Sequence, residues 1–190
     1  NQPAYICSDA DFNNLPSFDF DGIDNYVVGT AENYRNSDDS GAFISVYKLD
    51  SATRLSSIMV SSSASTNSVG FAIIATNTYR FVVPSRQWRG STNINNTTTS
   101  YAVANVCTGS SYKQWINETP QTVAMLQGAN DGSIWTDVEA FDTISVGGLL
   151  RQGVASNFSG IKWCFSGYFP YESDSQIEDI MTYLVTKYGL

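Results

Sequence analysis

Between Ser173 and Leu190 the apolar residues Ile177, Ile180, Met181, Leu184, Val185 and Tyr188 recur at helical spacing. Ser173 is placed to cap the helix start, with Gln176 reaching back, and Gly189 to stop it. Nothing upstream repeats at that period. The preceding chain alternates apolar and polar residues in short runs broken by Gly, Asn, Asp and Ser, the pattern of half-buried strands. The fold this predicts is all-β: an antiparallel jelly-roll β-sandwich closed by one C-terminal α-helix.

A chain of 190 residues fits one domain over 1–190 and is long enough to bury a core without covalent staples. Hydrophobic residues make up 42% and the mean hydropathy is -0.16, the balance of a soluble globular chain. No apolar run reaches the roughly 20 residues a membrane helix needs, so no membrane insertion is expected. The first residue is Asn, and no signal-peptide pattern follows, so the chain is expected to be processed or cut from a longer protein. A net charge of -8 repels phosphate backbones and argues against a nucleic-acid partner. Only 15% of residues are charged, and Asn, Ser, Thr and Tyr fill the gap, a surface suited to neutral polar ligands outside the cell or on a particle.

The runs predicted as strands are Ala4–Cys7, Ser17–Phe20, Tyr26–Val28, Ala42–Leu49, Ser56–Ser61, Gly70–Ala75, Tyr79–Val83, Ser100–Thr108, Tyr112–Asn117, Thr122–Leu126, Thr143–Val146 and Gly160–Phe169. Asp21-Gly22 and Asn117-Glu118 stand where hairpins reverse, and Gly147-Gly148 ends a strand. Three stretches read as long loops, where binding residues concentrate: Glu32–Ser40, Arg86–Thr99 and Gly128–Asp142. With 3 cysteines at least one is unpaired within the chain. Cys7 and Cys164 are near the two ends and could pair; the simpler expectation is that all three serve as small buried hydrophobes.

Two segments carry a family resemblance. The opening, with its turn Phe20, Asp21, Gly22, Ile23, Asp24, Asn25 and Tyr26, resembles the start of concanavalin A-like, laminin G-like jelly-roll domains of bacterial and phage type. The ending, through Ser173, Asp174, Tyr183, Leu184, Lys187, Tyr188, Gly189 and Leu190, resembles the closing helix of the same domains. Between them "AFISVYKLDS", "DTISVGG" and "YKQWINE" are similar to the family's early core strand, late strand and hairpin. The stretch from about Ser61 to Thr99 departs most, and Cys164 stands near the place of an acidic residue common in the family. Both motifs concern folding rather than a site, and the fold alone does not fix function. The bacterial and viral setting that the resemblance implies removes significance from the Asn-x-Ser/Thr sequons at Asn95, Asn96, Asn117 and Asn157.

Candidate chemistry is sparse. With 0 His, a nucleophile with a histidine base and a His/Cys zinc site are both excluded. Retaining glucanases of this fold carry paired carboxylates on one strand, and this chain lacks such a run; Asp137 and Glu139, sharing parity with Trp135 and Phe141, are the best hydrolase candidates. Ca²⁺ wants 6–8 oxygen ligands. Asp131 with Asp137, Asp9 with Asp11, and Asp38 with Asp39 are its possible suppliers, against ordinary turn chemistry. Sugar binding needs an aromatic face beside polar groups. Trp88, flanked by Arg86, Gln87 and Arg89, is the first candidate, and Trp135 with Asp131 and Asp137 the second; Trp115 and Trp163 lie inside strands and read as core.

The function expected is noncatalytic recognition of a surface glycan. The chain would be a module of a larger secreted or virion protein such as a phage tail, fibre or capsid appendage, in contact with neighbouring subunits. The rivals are a purely structural domain that docks on a protein partner, and a glycoside hydrolase.

Overall fold

The computed structural model describes residues 2–30, 40–50, 55–61, 68–74, 78–83, 86–92, 94, 96–132, 143–152, 154–156 and 158–190. Among them the chain forms two seven-stranded antiparallel sheets, a short hairpin, one α-helix and a 3-10 turn at Ala10–Phe12, the architecture expected from the alternation and the terminal 3.6-residue period. The first sheet contains β1 (Ala4–Asp9), β2 (Leu15–Asp21), β4 (Gly41–Leu49), β9 (Ser100–Cys107), β10 (Tyr112–Ile116), β11 (Thr119–Gln121) and β16 (Gly160–Phe169). Its order is β1-β2-β16-β4-β9-β10-β11. The second contains β3 (Val27–Thr30), β5 (Leu55–Ser61), β6 (Ser68–Ile74), β7 (Thr78–Val83), β8 (Arg86–Arg89), β12 (Ala124–Gln127) and β13 (Thr143–Val146), in the order β12-β8-β7-β6-β5-β13-β3. β14 (Leu149–Arg151) and β15 (Val154–Ser156) pair with each other.

Strand parity builds two cores. Successive side chains leave a strand on opposite faces. On β4 and β9 the residues Phe43, Tyr47, Leu49, Tyr101, Val103 and Cys107 face the second sheet and meet Phe81, Val83, Trp88 and Val146. The alternate residues Ala42, Ile44, Val46, Ala102, Ala104 and Val106 face the other way, onto α1 (Asp174–Tyr188). The helix buries Ile177, Met181, Leu184 and Tyr188 there, each such side chain contributing about 1.5–3 kcal/mol. Ser173 caps it by accepting from the Gln176 N–H, and Gln176 reaches back to accept from the Glu172 N–H. Gly189 ends it at φ 69°, donating its N–H to the Val185 carbonyl.

The turns use the residues that permit them. Asn117 adopts φ 52° in the two-residue β10–β11 turn, and its side chain accepts from the Ala102 N–H. Gly147 follows β13 at φ 80°, and a Cβ there would stand 2.1 Å from the Phe20 ring.

Three expectations change. Arg86–Arg89 is a strand inside the second sheet, not the start of a long loop. Thr119–Gln121 adds a short strand, and the next begins at Ala124, so Thr122 and Val123 lie between strands. All three cysteines are free thiols, because β2 lies between β1 and β16 and holds Cys7 and Cys164 about two strand spacings, roughly 9–10 Å, apart. Cys107 is buried, Cys164 half-buried, and Cys7 exposed rather than core. The loop Glu32–Ser40, apart from Ser40, lies outside the described residues, as does the loop Gly128–Asp142 after Gly132.

Candidate functional site

Trp88 is not available to a sugar. It faces inward on β8, opposite Phe81 on β7 and Met125 on β12, with 0% of its surface exposed. Its ring stacks on Tyr112 at 4.0 Å and 16°, and Phe81 lies 4.6 Å away on a tilted contact. Arg86, of the same parity, donates two hydrogen bonds to Asp131 Oδ2 at 2.9 and 2.6 Å, while the Tyr112 hydroxyl donates to Oδ1 at 3.0 Å. Gln87, of opposite parity, accepts from Arg80 at 2.8 Å on the outer face of the sheet. The group expected to hold a ligand therefore serves as core, ion pair and surface hydrogen bond. Of the aromatics assigned to the core, Trp115 is buried under the helix, and Trp163 is half-buried and donates to Ser166.

The carboxylates singled out for calcium are committed elsewhere. Asp131 spends both oxygens on Arg86 and Tyr112. Asp9, 4% exposed, accepts from the Asp11 N–H and the Ser17 hydroxyl, and Asp11 gives one oxygen to Lys48 and the other to Lys162. Among the described residues no group of three or more His, Cys, Asp or Glu could hold a metal ion. Trp135, Asp137, Glu139, Asp38 and Asp39 lie outside the described residues.

The polar concavity lies elsewhere, on the helix side of the first sheet beyond the helix. Antiparallel register sets Ala4, Asp19, Lys162, Lys48 and Ser100 in one row across β1, β2, β16, β4 and β9. Where β2 and β4 end and β16 begins, a cleft of about 570 Å³ opens. Asp19, Asp21, Asp50, Asn25 and Gln2 line it, together with Ala4, Phe20 and Gly160. The Asp50 N–H donates to the Gly160 carbonyl at 3.0 Å and pins that end of the chain to the sheet. A groove of about 360 Å³, lined by Phe18, Tyr26, Val27 and Val28, adjoins the cleft through Gln2. Beside it Tyr5 packs on Phe18 at 5.4 Å and remains 61% exposed.

Charge divides unevenly across this face. The Lys162 ammonium points to Asp11 at 2.8 Å and Asp9 at 3.6 Å, and the Lys48 ammonium to Asp11 at 2.6 Å. Those amines hold the Asp11 carboxyl below the usual carboxylate range, Lys162 first and Lys48 second. Asp50 moves the other way: burial raises it, then the charge of Asp19 and a hydrogen bond to it, with only partial relief from Lys162 and Lys48. Asp21 is lowered because its carboxylate accepts from the backbone N–H of Ile23, and more weakly from Asp24 and Asn25.

The Phe20–Tyr26 segment, expected to act only as a turn, thus also supplies Phe20, Asp21 and Asn25 to the cleft. Asp19, Asp50 and Gln2 were not singled out from the sequence. The available signal was the alternation Ser17, Asp19, Asp21 against Phe18 and Phe20, which puts the acids on the face away from the sandwich core.

No known family profile and no curated protein sequence matches this chain. Solved structures do match its fold. The CBM40 domain of the Ruminococcus gnavus IT-sialidase, bound to alpha2,6 sialyllactose, aligns at TM-score 0.55 and 16% identity, over 75% of this chain and 83% of that one. Trypanosoma rangeli sialidase in complex with sialic acid aligns at TM-score 0.59 and 13% identity over 93% of this chain. NanB sialidase from Streptococcus pneumoniae aligns at TM-score 0.55 and 11% identity over 85%. The chain spans only 29% and 27% of those two sialidase chains. At these identities the likeness is one of fold: a β-sandwich of the kind found in sialidases and CBM40 carbohydrate-binding domains.

Proposed function

We propose that this chain is a noncatalytic glycan-binding module of a larger extracellular or virion protein, and that the Asp19–Asp50 cleft is its site. The observation that carries this is the convergence of two amide side chains, Gln2 and Asn25, with the carboxyls of Asp19, Asp21 and Asp50 in one open cleft. Amides both donate and accept, and carboxyl oxygens accept from paired hydroxyls, the complement that a sugar ring requires. Tyr26 lines the groove that adjoins the cleft through Gln2 and offers apolar ring surface for the sugar's C–H face. The fold shared with a CBM40 module that is bound to sialyllactose supports the same function.

A hydrolase fits less well. Retaining glycosidases keep their two carboxyls about 5–5.5 Å apart, with the scissile bond between them. Asp19 and Asp50 instead stand close enough for the charge of Asp19 to raise the Asp50 carboxyl. The concanavalin A-like, laminin G-like motifs in the sequence are consistent with a lectin role without requiring it.

A docking role has its own observation in favour. The edge strands β1 and β3 border exposed Tyr5, Val27 and Val28, a surface that a neighbouring subunit could cover. A broad glycan array probed with the wild type and with Asp19→Ala separates the two. Glycan binding that Asp19→Ala abolishes is the expected result; a wild type that binds no glycan leaves the docking role in its place.

A further inference from the structure

Charge in the cleft limits which sugars can enter. Asp19, Asp21 and Asp50 stand on its wall, and no Lys or Arg is among the described residues that line it. The two nearest amines in the strand register, Lys48 and Lys162, are turned away to Asp11 and Asp9. Asp9 and Asp11 hold these two amines in ion pairs, and the local balance among the described residues of this face, Asp9, Asp11, Asp19 and Asp50 against Lys48 and Lys162, stays acidic. Asp21 adds a further negative charge at the rim.

We infer that this cleft takes saccharides without a carboxylate and rejects sialic acid and other anionic sugars, a selectivity that presupposes the glycan-binding function just proposed. A sugar carboxylate seated there would lie within a few ångströms of Asp19 and Asp21, while the nearest described amines, Lys48 and Lys162, are already paired with Asp11 and Asp9. At a separation of about 5 Å and an effective dielectric near 20, one such contact weakens binding on the order of 100-fold. Hydroxyls meet no such penalty, since Asp19 and the Asn25 and Gln2 amides offer acceptors and donors. The CBM40 and Trypanosoma rangeli matches were solved with sialylated or sialic acid ligands, so the selectivity inferred here departs from theirs within a shared fold.

The test is an array of neutral oligosaccharides printed beside the sialylated form of each, followed by titration of the best ligands. Wild type, Asp19→Ala and Asp50→Asn are compared, with thermal melts as a folding control. Wild type is expected to bind a neutral glycan and to lose on the order of 100-fold on its sialylated form. Asp19→Ala is expected to lose the neutral ligand, and Asp50→Asn to narrow the gap between the two forms without lowering the melting temperature. Preference for the sialylated form, or neutral binding untouched by Asp19→Ala, overturns the selectivity while leaving a glycan-binding function standing. No binding anywhere on the array overturns that function, and the selectivity with it.

Discussion

Along β4 the side chains facing away from the sandwich core read Ala42, Ile44, Val46 and then Lys48. The first three lie under the helix and are fully buried; the fourth meets Asp11. β9 repeats the division, with Ala102, Ala104 and Val106 under the helix and Ser100 donating to the Asp11 carbonyl. One sheet face is thus split into an apolar half closed by α1 and an ionic half left open at its rim. The difference teaches where each kind of residue can be used. The closed half can only stabilise, because nothing enters it. The open half keeps unneutralised carboxyls beside solvent, and a ligand can reach them.

Five substitutions probe that division. Trp88→Ala, on the inner face of the second sheet, is expected to cost the most, about 3–5 kcal/mol of stability in denaturant unfolding. Met181→Ala removes a fully buried contact of the helix and is expected to cost about 2–5 kcal/mol while leaving glycan titrations of the folded protein unchanged. A change in ligand affinity on Met181→Ala would show that the two halves are coupled. Ser173→Ala loses the helix cap and is expected to cost about 1 kcal/mol, read from the same unfolding curves.

The smallest effects are pH-dependent and opposite in sign within the ionic half. Asp11 is held below its ordinary value when folded, so its stabilisation is present above that value and is lost as pH falls through the folded one. Asp50 is raised when folded, so its favourable contribution is present below its ordinary value and is lost as pH rises through the raised one. Asp50→Asn should therefore raise the melting temperature at neutral pH, and Asp11→Asn should lower it. Equal responses from the two variants would dissolve the distinction between paired and unneutralised acids on this face.

What could be seen in the sequence was what is encoded locally. The helix, its cap at Ser173 and its stop at Gly189 need only neighbours a turn apart, and all are where the period places them. Trp88 misled because its immediate neighbours are Gln87 and Arg89, which suggests a polar loop. Arg86 finds its partner Asp131 45 residues away, and the stacking partner of Trp88 is Tyr112 on the other sheet. The cleft was hidden for the same reason: Gln2, Asp19 and Asp50 meet only through the pairing of β1 with β2 and of β2 and β4 with β16. Nothing in a linear pattern states that register.

Phe20 stands at a crossing: its ring is buried in the sandwich core against Gly147, while Asp19 and Asp21 leave the same strand on the opposite face and line the cleft. A side chain at 147 would have to displace that ring inside the core, and the ring anchors the strand that carries both acids. Binding could therefore be weakened by a change that no ligand ever contacts.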